Sequence, residues 1–249
     1  MESELVNLVP DVRLAIQTIG YIAGAILCIS LGIFVLFRDP RRPFYVVFFL
    51  LNVAVAFFQI SHAIGINIAD PYLSRSVFMF NLSNLFIAPL VAHWVAFTID
   101  RARELRYQLI FFYGLSLILF VVYVLYPDTF LLPSKAKMYM PSYYVPGSLH
   151  FMMRLLSNIV IPVYFSFLLI KAYIKTKDPG LRARYRYVLL SIYLGFGIGG
   201  TAVFLVYDIP FDPIWSMFFC IYSPLLAYSI IRHEFMDIKL IYKKAAAYA

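Results

Sequence analysis

The sequence predicts an all-α membrane protein, a bundle of seven transmembrane helices with the amino terminus outside and the carboxyl terminus in the cytoplasm. Three observations predict it. Of 249 residues, 63% are hydrophobic and 14% charged, so a water-soluble globule would leave most of its apolar surface in water. Seven stretches are apolar over roughly 20 residues, the length that a helix rising about 1.5 Å per residue needs to cross a hydrocarbon core about 30 Å thick. The Lys and Arg residues fall mostly in one of the two alternating sets of loops, the asymmetry that orients membrane helices. The short alternating strands of a β-barrel do not occur in the pattern.

Residues 1–11 read as a short extracytoplasmic tail. They carry Glu2, Glu4 and Asp11 and no early basic run, which is wrong for the positive end of a cleavable signal peptide, so the first helix is expected to be retained. The seven spans then run 12–37, 43–68, 76–99, 107–126, 150–174, 185–207 and 212–232, and residues 12–232 form the bundle. One set of loops and helix ends holds Arg38, Arg41, Arg42, Arg101, Arg103, Arg106, Lys171, Lys175, Lys177, Arg182, Arg184, Arg186, Arg232, Lys239, Lys243 and Lys244, sixteen in all. The other holds Arg13, Arg75, Lys135, Lys137 and Arg154, five in all. The first set is assigned to the cytoplasm. The net charge of +8 is thereby a topology signal and not a nucleic-acid-binding face.

The longest connection, 127–149, then lies outside. Pro127, Pro133, Pro141, Pro146 and Gly147 break any long helix there. It is either a lid over the bundle or a floppy loop whose tyrosines rest at the interface. Cys28 and Cys220 fall inside apolar spans at different depths, so no disulfide is expected. No internal repeat is visible, which counts against many transporter architectures.

Polar residues in a span turn inward to a partner or a cavity. Span 2 places Asn52, Val55, Gln59 and His62 on one stripe. Span 3 adds Asn81, Ser83 and Asn84, and span 5 adds His150, Arg154 and Asn158 at i, i+4, i+8. Tyr207, Asp208, Asp212 and Trp215 flank the last connection. Gln59, His62, Asn81, Asn84, Arg154, Asn158, Asp208, Asp212 and Trp215 are therefore the candidate ligand residues, converging beneath the long loop, with interhelical hydrogen bonding as the bland alternative. Arg154 needs an anion; Asp208 or Asp212 supplies it, or the side chain snorkels to the interface. The expected ligand is small, with an anionic head at Arg154 and an apolar body among aromatics.

Pro89, Pro162 and Pro224 each free the carbonyl four residues back, on Leu85, Asn158 and Cys220, giving a kink or a flexible point. In GFGIGG, Gly195 and Gly199 stand at the spacing that lets two helices approach closely. His62 and His150 lie toward one side and His93 and His233 toward the other, so no three ligands share a depth and no metal or other cofactor is expected. The seventh span contains no lysine for a retinal Schiff base, and phosphate loops and nucleophile elbows are absent. Asp100-Arg101 superficially resembles the Asp-Arg-Tyr element of G-protein-coupled receptors, but Ala102 replaces the tyrosine.

The most specific stretch is PLLAYSIIRHEFMDIKLIYKK, from Pro224 to Lys244. Pro224, Ala227, Tyr228, Arg232, His233, Phe235, Asp237, Ile238, Lys243 and Lys244 resemble the end of the seven-transmembrane sensor region at the amino terminus of bacterial histidine kinases; Glu234 and Met236 are small departures. The resemblance implies a signal-transduction module in the bacterial cytoplasmic membrane. It also implies a cytoplasmic connector at 233–249 leading to a fused output domain such as a histidine kinase, and a homodimer in the full-length protein. This chain is itself no enzyme, and the lipid bilayer, a small-molecule or lipid-like ligand and the output domain are its expected partners, with no nucleic acid. Pro224, Arg232, His233, Phe235 and Asp237 would relay the signal. The ending IYKKAAAYA reads as a helix cut short. The runner-up is a membrane transporter or lipid-handling protein, which a continuous polar route through both halves would favour.

The charge count makes a direct prediction. In a background lacking Cys28 and Cys220, a cysteine replacing Lys135 should react with an impermeant maleimide in intact cells, and one replacing Arg103 only after permeabilisation. The reverse pattern rejects the orientation.

Overall fold

In the bilayer an unpaired backbone N–H or C=O has no water to turn to, so the chain folds as helices that satisfy their own backbones. The computed structural model describes residues 2–231, and these form seven helices long and apolar enough to cross a membrane. We label them α1 (Glu2–Leu36), α2 (Pro43–Gly65), α3 (Pro71–Thr98), α4 (Arg106–Leu125), α5 (His150–Lys175), α6 (Pro179–Val206) and α7 (Pro213–Ile231). The chain is a multi-pass membrane protein. Residues 2–11, expected as a tail, prolong α1 beyond its apolar span of Val12–Leu36.

Two helices begin earlier than hydropathy alone places them. Asp70 accepts from the Tyr72 and Leu73 amides at 2.9 and 2.7 Å, and Asp178 accepts from Gly180 and Leu181 at 2.7 and 3.0 Å. In each case Pro follows as the first helical residue, a start signal that the polar first turn masks in a hydropathy count. Asp212-Pro213 starts α7 in the same way, with Asp212 accepting from Ile214 at 3.0 Å.

The helices pack in near-sequential order. α2 lies against α1 and α3, α3 is central and touches α4 and α5, and α7 closes the bundle between α6 and α1. Gly195 and Gly199 of α6 make the expected close approach, and it is within one chain. A Cβ on Gly195 would stand 2.6 Å from the Tyr222 Cβ, and one on Gly199 would stand 2.5 Å from the Phe219 ring, both on α7.

Each inner proline is preceded by a departure from α-geometry. Met79–Ser83 is 3-10 before Pro89, Leu155–Val160 is π before Pro162, and Pro213–Ile221 is 3-10 before Pro224. α6 has a second π segment, Ile192–Ile198, across its glycines.

The 127–149 connection holds an antiparallel hairpin, β1 (Leu131–Lys137) and β2 (Met140–Pro146). Met138 starts its two-residue turn at φ 52°, a position that ordinarily favours glycine. The hairpin packs on the first turns of α3 and on the end of α6, with Phe130, Leu131, Tyr143 and Tyr144 fully buried. Arg75 at the start of α3 pairs with Asp128 at 2.6 Å.

At the opposite end, Asn52 of α2 ties into α7. Its Nδ2 donates to the Phe48 carbonyl at 2.8 Å, while Oδ1 accepts from Tyr222 at 3.1 Å and Ser223 at 2.6 Å. The Tyr222 hydroxyl also meets the Cys28 thiol, and Cys220 lies close to both. The two cysteines therefore share a neighbourhood and a depth, contrary to expectation, because α7 starts with a 3-10 segment, whose rise of about 2 Å per residue carries Cys220 deeper than α-geometry would; both remain free thiols.

Asn52 is fully buried, so Asn52→Ala takes the acceptor from the Ser223 hydroxyl, leaves Tyr222 only the Cys28 thiol and opens a cavity. We expect a loss of about 1–3 kcal/mol in unfolding of the reconstituted bundle, with Asn52→Asp milder than Asn52→Leu. A value within error of wild type would remove the α2–α7 tie.

Candidate functional site

The polar stripe of α2 faces inward as its spacing requires: Asn52, Gln59 and His62 are all fully buried. They do not form one open pocket. His62 lies in a box of rings from Tyr21, Phe58, Phe78, Tyr143 and Tyr144, with Nδ1 2.9 Å from the Phe58 carbonyl. Asn81 Oδ1 accepts from Ser61 at 2.5 Å, linking α3 to α2. The Gln59 amide has only the Cys220 thiol beside it. These three form a tight polar core behind the cavity described below.

Asp208 and Asp212 do not pair with Arg154. The hairpin intervenes. Lys135 and Lys137 reach Asp208 at 3.1 and 2.9 Å, and Asp208 is turned toward them by a left-handed φ of 60°. Asp212 caps α7, lies 3.8 Å from Arg13 and accepts from Tyr139 at 2.8 Å. Trp215 is half exposed on the outer surface of α7. Both carboxylates thus belong to the framework.

Arg154, five residues into α5, is 9% exposed. It does not snorkel. Its Nη2 donates to the Tyr144 hydroxyl at 2.8 Å, its Nε has no partner, and no carboxylate pairs with it among the described residues. A guanidinium has five donors, and one neutral hydroxyl neither satisfies them nor balances the charge. His150, also buried, contacts Tyr207 through Nδ1 at 3.1 Å.

Arg154 stands at one end of a cavity of about 450 Å³ between α3, α5 and α6, with Phe58 of α2 and Phe219 of α7 reaching into its wall. Asn84, Ser157 and Asn158 share the polar end; the rest is mostly apolar, including Ile87, Val91, Ile161, Phe165 and Phe196, with Ser166 and Tyr193 the exceptions. Of the nine candidate ligand residues, Asn84, Arg154 and Asn158 come together here, whereas Gln59, His62, Asn81, Asp208, Asp212 and Trp215 do not line it. Sequence reasoning missed Ser157, Phe196 and the glycines. The GFGIGG motif was read for packing, yet it does two jobs: Gly195 and Gly199 seat α6 on α7, and Gly197, Gly199 and Gly200 form cavity wall. Both π segments border the same space, as such segments commonly do at functional sites.

The hairpin is fastened over this end by Lys137. Its ammonium donates to the Leu205 and Val206 carbonyls at 2.7 and 2.9 Å and meets Asp208, so all three donors are used on the orphan carbonyls of α6 and one carboxylate. Hydrogen bonds from Lys137 and Lys135 hold the Asp208 carboxyl below its ordinary value of 3.8. Burial pulls the Lys137 ammonium below its ordinary value, against the opposing pull of Asp208.

The junction residues Arg232, His233, Phe235 and Asp237 lie outside the described residues, and of the relay set Pro224 alone is placed. Among the described residues no group of three His, Cys, Asp or Glu side chains could hold a metal. A family model described as the N-terminal 7TM region of histidine kinase matches residues 21–239. No curated protein matches the chain.

Two hairpin variants should differ. Lys137→Met strands two buried carbonyls and should destabilise hairpin docking by about 1–3 kcal/mol, whereas the exposed Asp208→Asn should loosen it less, both read by amide exchange over 131–146. Because the Asp208 carboxyl is lowered, its contribution is present above 3.8 and is lost only as pH falls through the lower folded value. Exchange corrected for intrinsic rate should thus be flat from neutral pH down to that value. Early loosening would reject the Lys137–Asp208 fastening.

Proposed function

Because this chain belongs to the family of N-terminal seven-transmembrane regions of histidine kinases, we propose that it is the ligand-sensing module of a bacterial signal-transduction receptor. It lies in the cytoplasmic membrane with the amino terminus and hairpin outside, and the carboxyl end of α7 leads to a cytoplasmic output domain such as a histidine kinase. Its ligand is a small anionic or amphiphilic molecule held in the α3–α5–α6 cavity. The observation that carries this reading is Arg154: a buried guanidinium with one neutral hydroxyl partner, at the end of an apolar cavity. An oxyanion there would complete its hydrogen bonds in a low dielectric, where such pairs are strong.

The relay runs through α7. Phe219 borders the cavity, Tyr222 and Ser223 bond to Asn52, and Pro224 follows directly. Binding would act by favouring one arrangement of this segment, and Asp237 would be the joint beyond it. A translocation path is the weaker reading, because it needs free polar groups toward the opposite end, and Asn52 is fully engaged.

The test uses the full-length receptor in vesicles. Autophosphorylation is followed against carboxylate- and phosphate-headed molecules of graded chain length. At least one should change the rate, and Arg154→Gln should raise its half-maximal concentration about tenfold or more with expression unchanged. Identical dose dependence in the variant sinks the proposal.

A further inference from the structure

The cavity is open on its flank. α5 and α6 pack where residues 176–178 join them, but they separate across their two π segments, where α6 leans on α7 instead. Val163 and Phe167 of α5 and Tyr193 of α6 line the cavity while being 64%, 60% and 56% exposed on the outside of the bundle. In a membrane that outside is acyl chain. By contrast, the aqueous end above Arg154 is closed by the hairpin, with Tyr143 and Tyr144 fully buried and Lys137 bonded to the end of α6.

The cavity is also long and polarised. It reaches along α5 from Arg154 to Ile170, sixteen residues, or about 24 Å at the helical rise. Most of its polar groups, Asn84, Arg154, Ser157 and Asn158, gather at the Arg154 end, where the Arg154 Nε and the Ser157 Oγ are buried without partners. Arg154 is four residues below the start of α5, about 6 Å, so a charged head reaching it stays near headgroup depth. Below, the lining is mostly apolar, Ser166 and Tyr193 apart, and α6 presents Gly197, where an added Cβ would meet nothing within 4 Å.

We propose that the ligand is a single-chain amphiphile with an oxyanion head, a carboxylate or a phosphate monoester, that enters sideways from the bilayer between α5 and α6. Its head pairs with Arg154 and its chain lies along the slot beside Gly197. This rests on the sensing reading above and adds to it the ligand's class and its route.

The experiment uses the 249-residue chain in neutral phosphatidylcholine nanodiscs, with binding read by native mass spectrometry. The probes are oleate, 1-oleoyl-lysophosphatidate, methyl oleate, butyrate and inorganic phosphate. Oleate or the lysophosphatidate should bind saturably at one molecule per chain, and the tighter of the two identifies the head. Arg154→Gln should weaken that binding about tenfold or more while leaving any methyl oleate binding unchanged. Gly197→Leu fills the slot and Val163→Trp obstructs its opening; both should abolish long-chain binding, and melting of each variant near wild type establishes that the bundle is intact. If butyrate or phosphate binds through Arg154 and neither obstructing variant matters, the anion reading stands and the lateral amphiphile is overturned. If none of the anions binds, both fail together.

Discussion

The hydrocarbon core contains no water, so every polar group that enters it must find its partner inside the protein. The form of this bundle follows from that constraint. The backbone meets it with seven helices, and three Asp-Pro pairs cap helix starts whose amides would otherwise be orphaned. Where Pro162 and Pro224 withhold an amide, the preceding turns change to π or 3-10 geometry, and in α3 the 3-10 segment Met79–Ser83 lies one α-turn ahead of Pro89. Among side chains, Asn52 is satisfied by Phe48, Tyr222 and Ser223, and Ser61 donates to Asn81. Several neutral groups, among them the Gln59 amide and the Asn81 Nδ2, are buried without a partner, and Arg154 is the charged side chain among them, the one with the greatest need.

That incompleteness is a consequence of the hairpin. Asp208 and Asp212, which flank the last outer connection, are the carboxylates that the sequence offers to Arg154. The hairpin brings Lys135, Lys137 and Tyr139 to those two carboxylates, and it offers Arg154 only a phenol. It thus removes the anions and excludes water in one step. The lysines are themselves satisfied, so among the described residues the positive charge left without an anion at this end of the bundle is concentrated on a single buried guanidinium. A protein using Arg154 merely for helix packing would gain more by leaving a carboxylate beside it, since burying an unpaired charge is costly.

Much of the bundle was legible in the sequence because hydrophobic length and inward polar periodicity are local properties. The seven spans, the buried stripe of α2 and the close α6–α7 approach at Gly195 and Gly199 all follow from spacing. The early starts of α3 and α6 were written in Asp70-Pro71 and Asp178-Pro179, but a hydropathy window averages such pairs away. The hairpin was not legible: its burial alternates imperfectly, prolines interrupt both strands, and its turn rests on Met138 where glycine is the usual signal. The site was legible in part. Arg154 and its i+4 neighbour Asn158 share a face that any α-helical reading finds. The π segments shift which residues face the cavity, so Ser157 joins them, and the partner of Arg154 depended on a hairpin separated from it in sequence.

How such a site could drive an output is a question of differences between states. A ligand shifts an equilibrium only by its unequal affinity for the two forms, and a shift from mostly off to mostly on requires about 5.5 kcal/mol. Two charge-assisted hydrogen bonds to Arg154, at about 1.5–3 kcal/mol each, reach that only if both are absent in the other form. The chain contacts must therefore also differ between states. The two π segments border the cavity on both sides; each holds an extra residue per turn, and an exchange with α-geometry would rotate everything beyond it. On α6 that rotation would bear on Phe219 and Tyr222 through Gly199 and Gly195, where no side chain cushions the contact. Tyr222 is in turn fixed to α2 through Asn52, two residues before Pro224. Movement at the cavity wall would reach the end of α7 through direct steric contact, with the proline as the point where the remainder of the helix is free to swing.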